Sequence, residues 1–187
     1  MSDNSKEQAR AQLSSIYEMV AALHCDYERL EKLRGFYDAY TEKLAENCDE
    51  LDRLVSESPD SDPKPLKDAI DHIRDHLMEL ADLEQEAGGF SGREEVSERI
   101  YEEPLELCVR SGWCQPAGDK LPAQEYMILL CTGGPAVRII GDLNQYSEPV
   151  SARIEHQDWF EPWTDMPLNR EEEDTVLDYC SQFYFGG

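Results

Sequence analysis

Apolar residues in the first third of the chain recur at alternating steps of three and four. The series runs Ile16, Val20, Leu23, Tyr27, Leu30, Tyr37, Leu44, Leu51 and Val55, and Arg34, Thr41 and Cys48 interrupt it at the intermediate positions. This is the spacing of a heptad seam, in which apolar side chains share one side of a helix. It predicts one long helix from about residue 6 to residue 56. Gly35 inside that stretch predicts a bend or a close helix crossing.

A proline-rich loop separates this helix from a second amphipathic one. Pro59, Pro63 and Pro65 remove backbone donors and impose extended backbone, so the first helix ends before them. The second seam is Leu66, Ile70, Ile73, Leu77, Leu80 and Leu83, followed by Gly88 and Gly89. Two seams joined by one loop predict an antiparallel, coiled-coil-like helical hairpin over residues 1–90. The second helix is the shorter one, so part of the first seam must be covered either by another chain or by the C-terminal part of this chain. A homodimer through that seam is the leading expectation.

From residue 105 onward the apolar period shortens to two, which is typical of strands. Four segments show this alternation: 105–110, 125–132, 136–140 and 150–156. Turn residues separate them, and short connections favour antiparallel neighbours. Gly133 and Gly134 predict a hairpin turn, because neither a helix N-terminus nor a Lys follows them as a phosphate loop requires.

Further helices flank this predicted four-stranded antiparallel sheet. A short one runs from Ser91 to Ile100, and a C-terminal one begins after Asn169, an N-cap residue followed by three glutamates. The apolar side of the C-terminal helix is Val176, Leu177, Cys180, Phe183 and Tyr184. The predicted fold is α+β: a helical hairpin over 1–90, then a domain over 91–187 with a four-stranded antiparallel sheet and a C-terminal helix.

Charge narrows the set of partners. The chain has 17 Lys and Arg against 41 Asp and Glu, a net charge of −24, while 40% hydrophobic residues suffice for a core. A polyanion lacks the cations that neutralise phosphates, so direct nucleic-acid binding is not expected and a charged partner should be a basic protein surface. No apolar run approaches the ~18 residues of a membrane span, so a cytoplasmic protein without membrane contact is expected.

Cysteine and histidine spacing predicts neither a metal nor a cofactor. The six cysteines form no close pair of the kind that binds zinc, and reduced, largely buried thiols are the expected state. His72 and His76 share a helix face that is expected to be solvated. A nucleophile could come from Cys114 or Cys131 with His156, but no local motif supports catalysis, and no catalytic residue is predicted.

Rows of carboxylates follow both predicted helices. They are Asp26, Glu31, Asp38, Glu42, Glu46, Asp49, Glu50 and Asp52 on the first helix and Asp68, Asp71, Asp75, Glu79 and Asp82 on the second. One interpretation is a solvated face that keeps the protein soluble. The other is mimicry, in which carboxylates along a helical rod imitate duplex phosphates and occupy a basic groove built for nucleic acid.

An aromatic segment follows the last predicted strand. Trp159, Phe160 and Trp163 lie among acidic residues and beside Pro162 in a predicted loop. Loops seldom collect large aromatic residues without packing them on something. These side chains either close the core between sheet and helix or form a recognition patch, with Trp159 and Trp163 as the binding residues.

Five short sequence words stand out in the second half of the chain, at 110–113, 128–143, 157–159, 162–164 and 182–186. They include Cys-Thr-Gly-Gly-Pro-Ala-Val-Arg, Gln-Asp-Trp and Phe-Tyr-Phe-Gly. Through these words, residues 100–187 resemble a family of small acidic proteins carried by phages and conjugative elements, whose helical N-terminal half varies. The resemblance implies a mobile-element setting, in which inhibitors of host CRISPR and restriction systems are common, and supplies no catalytic residues.

These observations lead to one hypothesis and two alternatives. The hypothesis is a non-enzymatic, anti-CRISPR-type inhibitor in a bacterial host cell, which blocks the basic nucleic-acid channel of a Cas effector by acidic mimicry. The first alternative is a coiled-coil adaptor or assembly protein of a phage or conjugative element. The second is a small hydrolase or nucleotide-binding enzyme. Salt sensitivity distinguishes the inhibitor from the adaptor, since charge-driven binding weakens with salt and binding through a hydrophobic seam does not.

Overall fold

The structure is a computed structural model that describes residues 4–39, 64–113 and 121–186, with residues 64–70 described by their backbone alone. The helices are α1 (Asn4–His24), α2 (helical over the described residues 27–39), α3 (Lys64–Ala87), α4 (Arg93–Glu102) and α5 (Arg170–Cys180). The strands are β1 (Glu106–Ser111), β2 (Ala123–Cys131), β3 (Ala136–Asp142), β4 (Arg153–Gln157) and β5 (Thr164–Asp165). The α+β fold class is confirmed.

The chain forms two compact units. The first comprises Met1–His24 and Arg93–Gly187, and the second comprises Cys25–Gly92. The predicted hairpin domain covered residues 1–90, whereas α1 belongs to the unit that contains the sheet.

The sheet of the first unit is antiparallel throughout and follows chain order, β1-β2-β3-β4-β5. All four predicted strands are present near their predicted positions. The prediction of four strands was nevertheless one short, because Thr164 and Asp165 add a fifth strand beside β4. Two residues are too few for an apolar alternation to be visible in the sequence.

One face of this sheet carries the core. Tyr126 and Ile128 of β2, Ile139 of β3 and Ile154 of β4 are buried, and α1 packs against β3, β4, α4 and α5. Two side-chain contacts join α1 to α5: an ion pair between Arg10 and Glu172 at 2.8 Å, and a hydrogen bond between the His24 ring and the Asp178 carboxylate at 2.6 Å. The helices therefore cover one side of the sheet and leave the other side exposed.

The prediction of one continuous helix from residue 6 to residue 56 is wrong. Helix α1 ends at His24, Cys25 and Asp26 are not helical, and a new helix starts at residue 27. The Asp26 carboxylate accepts a hydrogen bond of 2.9 Å from the backbone N–H of Arg29, as an N-cap does. The heptad spacing continues across this break, which is why periodicity alone missed it. The rest of the predicted helix, residues 40–56, lies outside the described residues.

Most apolar residues of the described seam pack within the chain, although Tyr37 is 43% exposed. Ile16, Val20 and Leu23 of α1 are buried in the first unit, and Leu30 and Leu33 of α2 are buried in the second. Their apolar surface is therefore not available for the predicted homodimer. The part of that prediction that rests on Leu44, Leu51 and Val55 lies outside the described residues.

Helices α2 and α3 of the second unit run antiparallel, as predicted. Just before α2, the Cys25 thiol donates to the carbonyl of Leu83 at 3.6 Å. Further along α2, the ring centroids of Phe36 and His76 lie 5.2 Å apart. A later residue of the first segment thus contacts an earlier residue of α3, as in an antiparallel pair. The small core of this pair consists of Cys25, Leu30, Leu33, Leu80 and Ala87.

The C-terminal helix follows its sequence signals. Asn169 is its N-cap, and the reciprocal capping box with Glu172 is formed. Val176, Cys180 and Phe183 are buried as predicted, but Tyr184 is 82% exposed. The helix ends at Cys180, so Tyr184 no longer follows the helical period.

Candidate functional site

The second unit has an acidic face. Four carboxylates recur along α3 at steps of three and four, at Asp75, Glu79, Asp82 and Glu86. Together with Asp26 they line a shallow depression of about 470 Å³, whose remaining lining residues are Arg29, Met78 and Leu83. We call these five acids the acidic face. Arg29 is the one cation among the described lining residues.

Two of these acids have structural partners. Glu79 and Arg29 form a two-pronged ion pair, with both N–O distances at 2.7 Å. The hydrogen bond from Arg29 lowers the pKa of Glu79 below its ordinary value, and desolvation opposes that shift. Asp26 caps α2. Among the residues that the structure describes, Asp75, Asp82 and Glu86 have no ion-pair partner, so these three carry the uncompensated charge.

The structure thus brings together part of the predicted acidic set. Asp26, Asp75, Glu79 and Asp82 line one depression. Asp71 is instead bonded to Arg74 at 2.6 Å, and Glu31 and Asp38 are exposed on α2 away from the depression.

Other predicted acids have no described side chain. They are Glu42, Glu46, Asp49, Glu50, Asp52 and Asp68, all outside the described side chains. Glu86 was missed, although its position four residues after Asp82 continues the stripe.

The aromatic loop lies in the first unit, after β4. Trp159 is 62% exposed and Phe160 is 100% exposed, and their ring centroids are 6.1 Å apart. Phe160 has a φ of 64°, a strained value for a bulky residue. The interpretation that these two residues close the core is therefore wrong. They form an exposed aromatic pair held on a strained turn, a feature that is typical of recognition loops.

Trp163 has a different role from Trp159. It is half-buried, and the guanidinium of Arg138 stacks 4.0 Å from its ring centroid. The same guanidinium is bonded to Glu155 at 2.6 and 2.7 Å. The stack Trp163–Arg138–Glu155 joins the loop to the exposed side of the sheet. Trp163 is thus an anchor of the loop, and the recognition patch reduces to Trp159 and Phe160.

The exposed side of the sheet has a groove beside this stack. Its volume is about 250 Å³, and it is lined in part by Cys108, Arg110, Met127, Arg138, Ile140 and Arg153. Arg110 is paired with Glu125, and Arg153 lies 3.6 Å from Glu155 and 3.7 Å from Asp165. Its arginines are therefore neutralised by acids of the same sheet, in contrast to the acidic face.

The residues of the enzyme alternative have structural contacts. His156 is buried, and its Nδ1 is hydrogen-bonded to the hydroxyl of Ser5 at 2.9 Å, in the packed region between the sheet and α1. Burial raises the pKa of the Cys131 thiol, which keeps it protonated and poorly nucleophilic. Burial raises the pKa of Cys180 to about 12 in the same way. Cys114 lies outside the described residues.

The two histidines of α3 are neighbours on one side of the helix. The rings of His72 and His76 lie 4.3 Å apart, with His72 exposed as predicted and His76 half-buried. Within the described ranges, no group of three or more His, Cys, Asp or Glu side chains could hold a metal ion. Of the helices described, none is both long and apolar enough to cross a bilayer.

Comparison with known proteins adds no relative: no family model, curated protein or solved structure matches this chain. The likeness to mobile-element proteins remains a prediction from the sequence.

Proposed function

We propose that this protein is a non-enzymatic inhibitor encoded by a mobile element, which acts in the cytoplasm of a bacterial host. Its target is a nucleic-acid-handling defence complex, with a Cas effector as the leading candidate. The inhibitor occupies the basic channel of that complex by charge and shape. The observation that carries this proposal is the acidic face of the second unit, where four carboxylates follow one side of α3.

The spacing of these carboxylates supports mimicry of a phosphate row. Asp75 and Glu86 are eleven positions apart, so the stripe extends over ~16 Å of helix at 1.5 Å per residue. That is one carboxylate per ~5 Å, or one uncompensated carboxylate per ~8 Å because Glu79 is paired with Arg29, compared with one phosphate per ~3.4 Å along a single strand of duplex. The stripe is therefore a sparser copy of a strand, and the net charge of −24 adds long-range attraction to a basic channel.

Charge alone would make the inhibitor promiscuous, and the aromatic pair offers a source of specificity. Trp159 and Phe160 are large, exposed and held by a constrained turn. Aromatic side chains of this kind commonly provide most of the energy of a protein interface. In this proposal the acidic face steers the encounter, and the aromatic pair selects the partner.

A pull-down with matched variants tests the proposal. The tagged protein is incubated with lysates of cells that carry CRISPR and restriction systems, then washed at low and high salt with or without duplex DNA. One triple variant neutralises the acidic face with Asp75→Asn, Asp82→Asn and Glu86→Gln. The control, Glu98→Gln, Glu102→Gln and Glu173→Gln, removes the same charge from exposed positions of the first unit outside the aromatic loop.

We expect a defence effector to be recovered at low salt and released by salt or DNA. The acidic-face variant should recover at least about tenfold less effector, whereas the control should recover nearly as much as the wild type. If both variants lose binding equally, net charge rather than the acidic face is responsible. Recovery of element-encoded proteins alone, through salt-resistant contacts, would reject the inhibitor and favour the adaptor.

A further inference from the structure

Strand β1 is an edge of the sheet. It pairs with β2 on one side, and no strand in the described part of the chain pairs with its other side. Its apolar residues Leu107 and Val109 are 45% and 52% exposed. An exposed edge that carries apolar side chains is a template for pairing with another strand.

The register shows which backbone groups of β1 face outward. Leu143 donates to the carbonyl of Gln124 at 2.8 Å, so the even-numbered residues of β2 direct their backbone groups to β3 and the odd-numbered ones direct theirs to β1. The partners of Glu106, Cys108 and Arg110 in β1 are odd-numbered residues of β2. The N–H and C=O groups of Leu107 and Val109 therefore face away from the sheet.

The sequence of β1 is complementary to itself in one antiparallel register. If two copies meet with Cys108 opposite Cys108, then Leu107 lies opposite Val109 and Glu106 lies opposite Arg110. The outward groups of Leu107 and Val109 supply four hydrogen bonds between the copies. On one face of the joined strands, Glu106 of each copy pairs with Arg110 of the other. On the opposite face, Leu107 of each copy meets Val109 of the other. Moving the register by two residues opposes Cys108 to Arg110 or to Glu106 and loses both ion pairs.

We propose that two copies of this protein associate through β1, in this register, to form one continuous sheet. The partner is a second copy because β1 has an acid, Glu106, before Cys108 and a base, Arg110, at the same distance after it. In an antiparallel pair of identical strands, each acid therefore lies opposite the base of the other copy. In the isolated chain Glu106 accepts a hydrogen bond from the Cys108 thiol at 3.3 Å, and Arg110 pairs with Glu125. On association each charged side chain gains its opposite on the second copy.

Charge exchange tests this register. Sedimentation equilibrium is measured over a range of protein concentrations for the wild type, Arg110→Glu, and the double exchange Glu106→Arg with Arg110→Glu. The single variant places two acids opposite each other twice per dimer, and should raise the dimer dissociation constant by about tenfold or more. The double exchange restores opposite charges between the copies and loses the Arg110–Glu125 pair just as the single variant does, so it should recover most of the lost affinity. Arg153→Glu, on the same face away from the edge, is the control and should have little effect.

A cross-link tests the position of Cys108. Directly opposed residues of a non-hydrogen-bonded pair lie ~4.5 Å apart at Cα, within the range of a disulfide. Diamide takes the two thiol hydrogens and is reduced as the sulfur–sulfur bond forms. We expect a dimer on a non-reducing gel that disappears in Cys108→Ser and persists in the control Cys131→Ser.

Three results would overturn the proposal. The first is a wild type that is monomeric at all concentrations, and the second is a double exchange that does not restore association. The third is a dimer in which diamide forms no cross-link through Cys108. Circular dichroism of each variant establishes that it is folded. Val109→Pro is a second disruptive variant, since proline removes an outward N–H without changing charge, and it should also weaken the dimer.

Discussion

Adjacent residues of β3 show how alternation decides burial. Ile139 is fully buried under the helices, while Ile140 is half-buried at the groove on the exposed side of the sheet. The two side chains are identical and share the same backbone element. Their contributions to stability therefore differ through packing alone.

Truncation of these two residues should give clearly different results. Ile139→Ala removes buried methyl groups and leaves a cavity, so we expect it to lower the free energy of unfolding by about 2–5 kcal/mol. Ile140→Ala has less packing to lose and should cost about 1 kcal/mol or less. Urea denaturation monitored by circular dichroism measures both. Equal losses would mean that the exposed side of the sheet is covered in solution.

Gly141 occupies a position where the packing leaves no room for a side chain, which only the structure shows. A Cβ atom at this position would lie 1.9 Å from the carbonyl oxygen of Ser151 and 2.7 Å from the Tyr126 hydroxyl. That hydroxyl donates to the same carbonyl at 2.8 Å. The glycine therefore permits a close approach of backbone that the sequence pattern alone does not reveal.

At the scale of elements, the sequence predicts the helices and strands that have a clear apolar period or a capping residue. Alternation located β2 and β3, and Asn169 located the start of α5. The break before α2 was not predicted, because Asp26 acts through one side-chain hydrogen bond while the heptad spacing runs on.

The candidate site, like the fold, was predictable only in part. The acids of α3 follow from their spacing, whereas the exposure of Trp159 and Phe160 depends on how the loop after β4 is held. Composition gives no information on that point.

The cap of α2 separates a structural role of Asp26 from a binding role. Asp26→Asn keeps an N-cap oxygen and removes the charge, whereas Asp26→Ala removes both. We expect Asp26→Ala to lower the free energy of unfolding of the second unit by about 1 kcal/mol and Asp26→Asn to have little effect. Hydrogen exchange of the α2 amides measures this change locally. If both variants destabilise α2 equally, the charge at the helix N-terminus matters more than the hydrogen bond.

At the scale of the whole molecule, excess charge is the dominant feature. Even with every Lys and Arg paired to one acid, carboxylates equivalent to the net charge of −24 stay uncompensated. Exposed ion pairs such as Arg34 to Glu84, each half-exposed, add little stability. Repulsion among the remaining acids opposes the compact state at low salt. The acidic face is thus a local concentration of a property that the whole chain shares.

This repulsion predicts an unusual response to salt. Raising NaCl from ~10 mM to ~0.5 M shortens the Debye length from ~30 Å to less than ~8 Å, which screens repulsion between distant acids. We therefore expect the midpoint of thermal unfolding to rise by a few degrees, roughly the effect of 1 kcal/mol on a chain of this size. Differential scanning calorimetry measures it, with chloride used because sulfate also stabilises proteins by exclusion from the surface. The same salt should weaken binding to a basic partner and strengthen association of two like-charged copies through β1. A midpoint that falls with NaCl would mean that specific ion pairs, such as Arg138 to Glu155, outweigh the repulsion of the whole molecule.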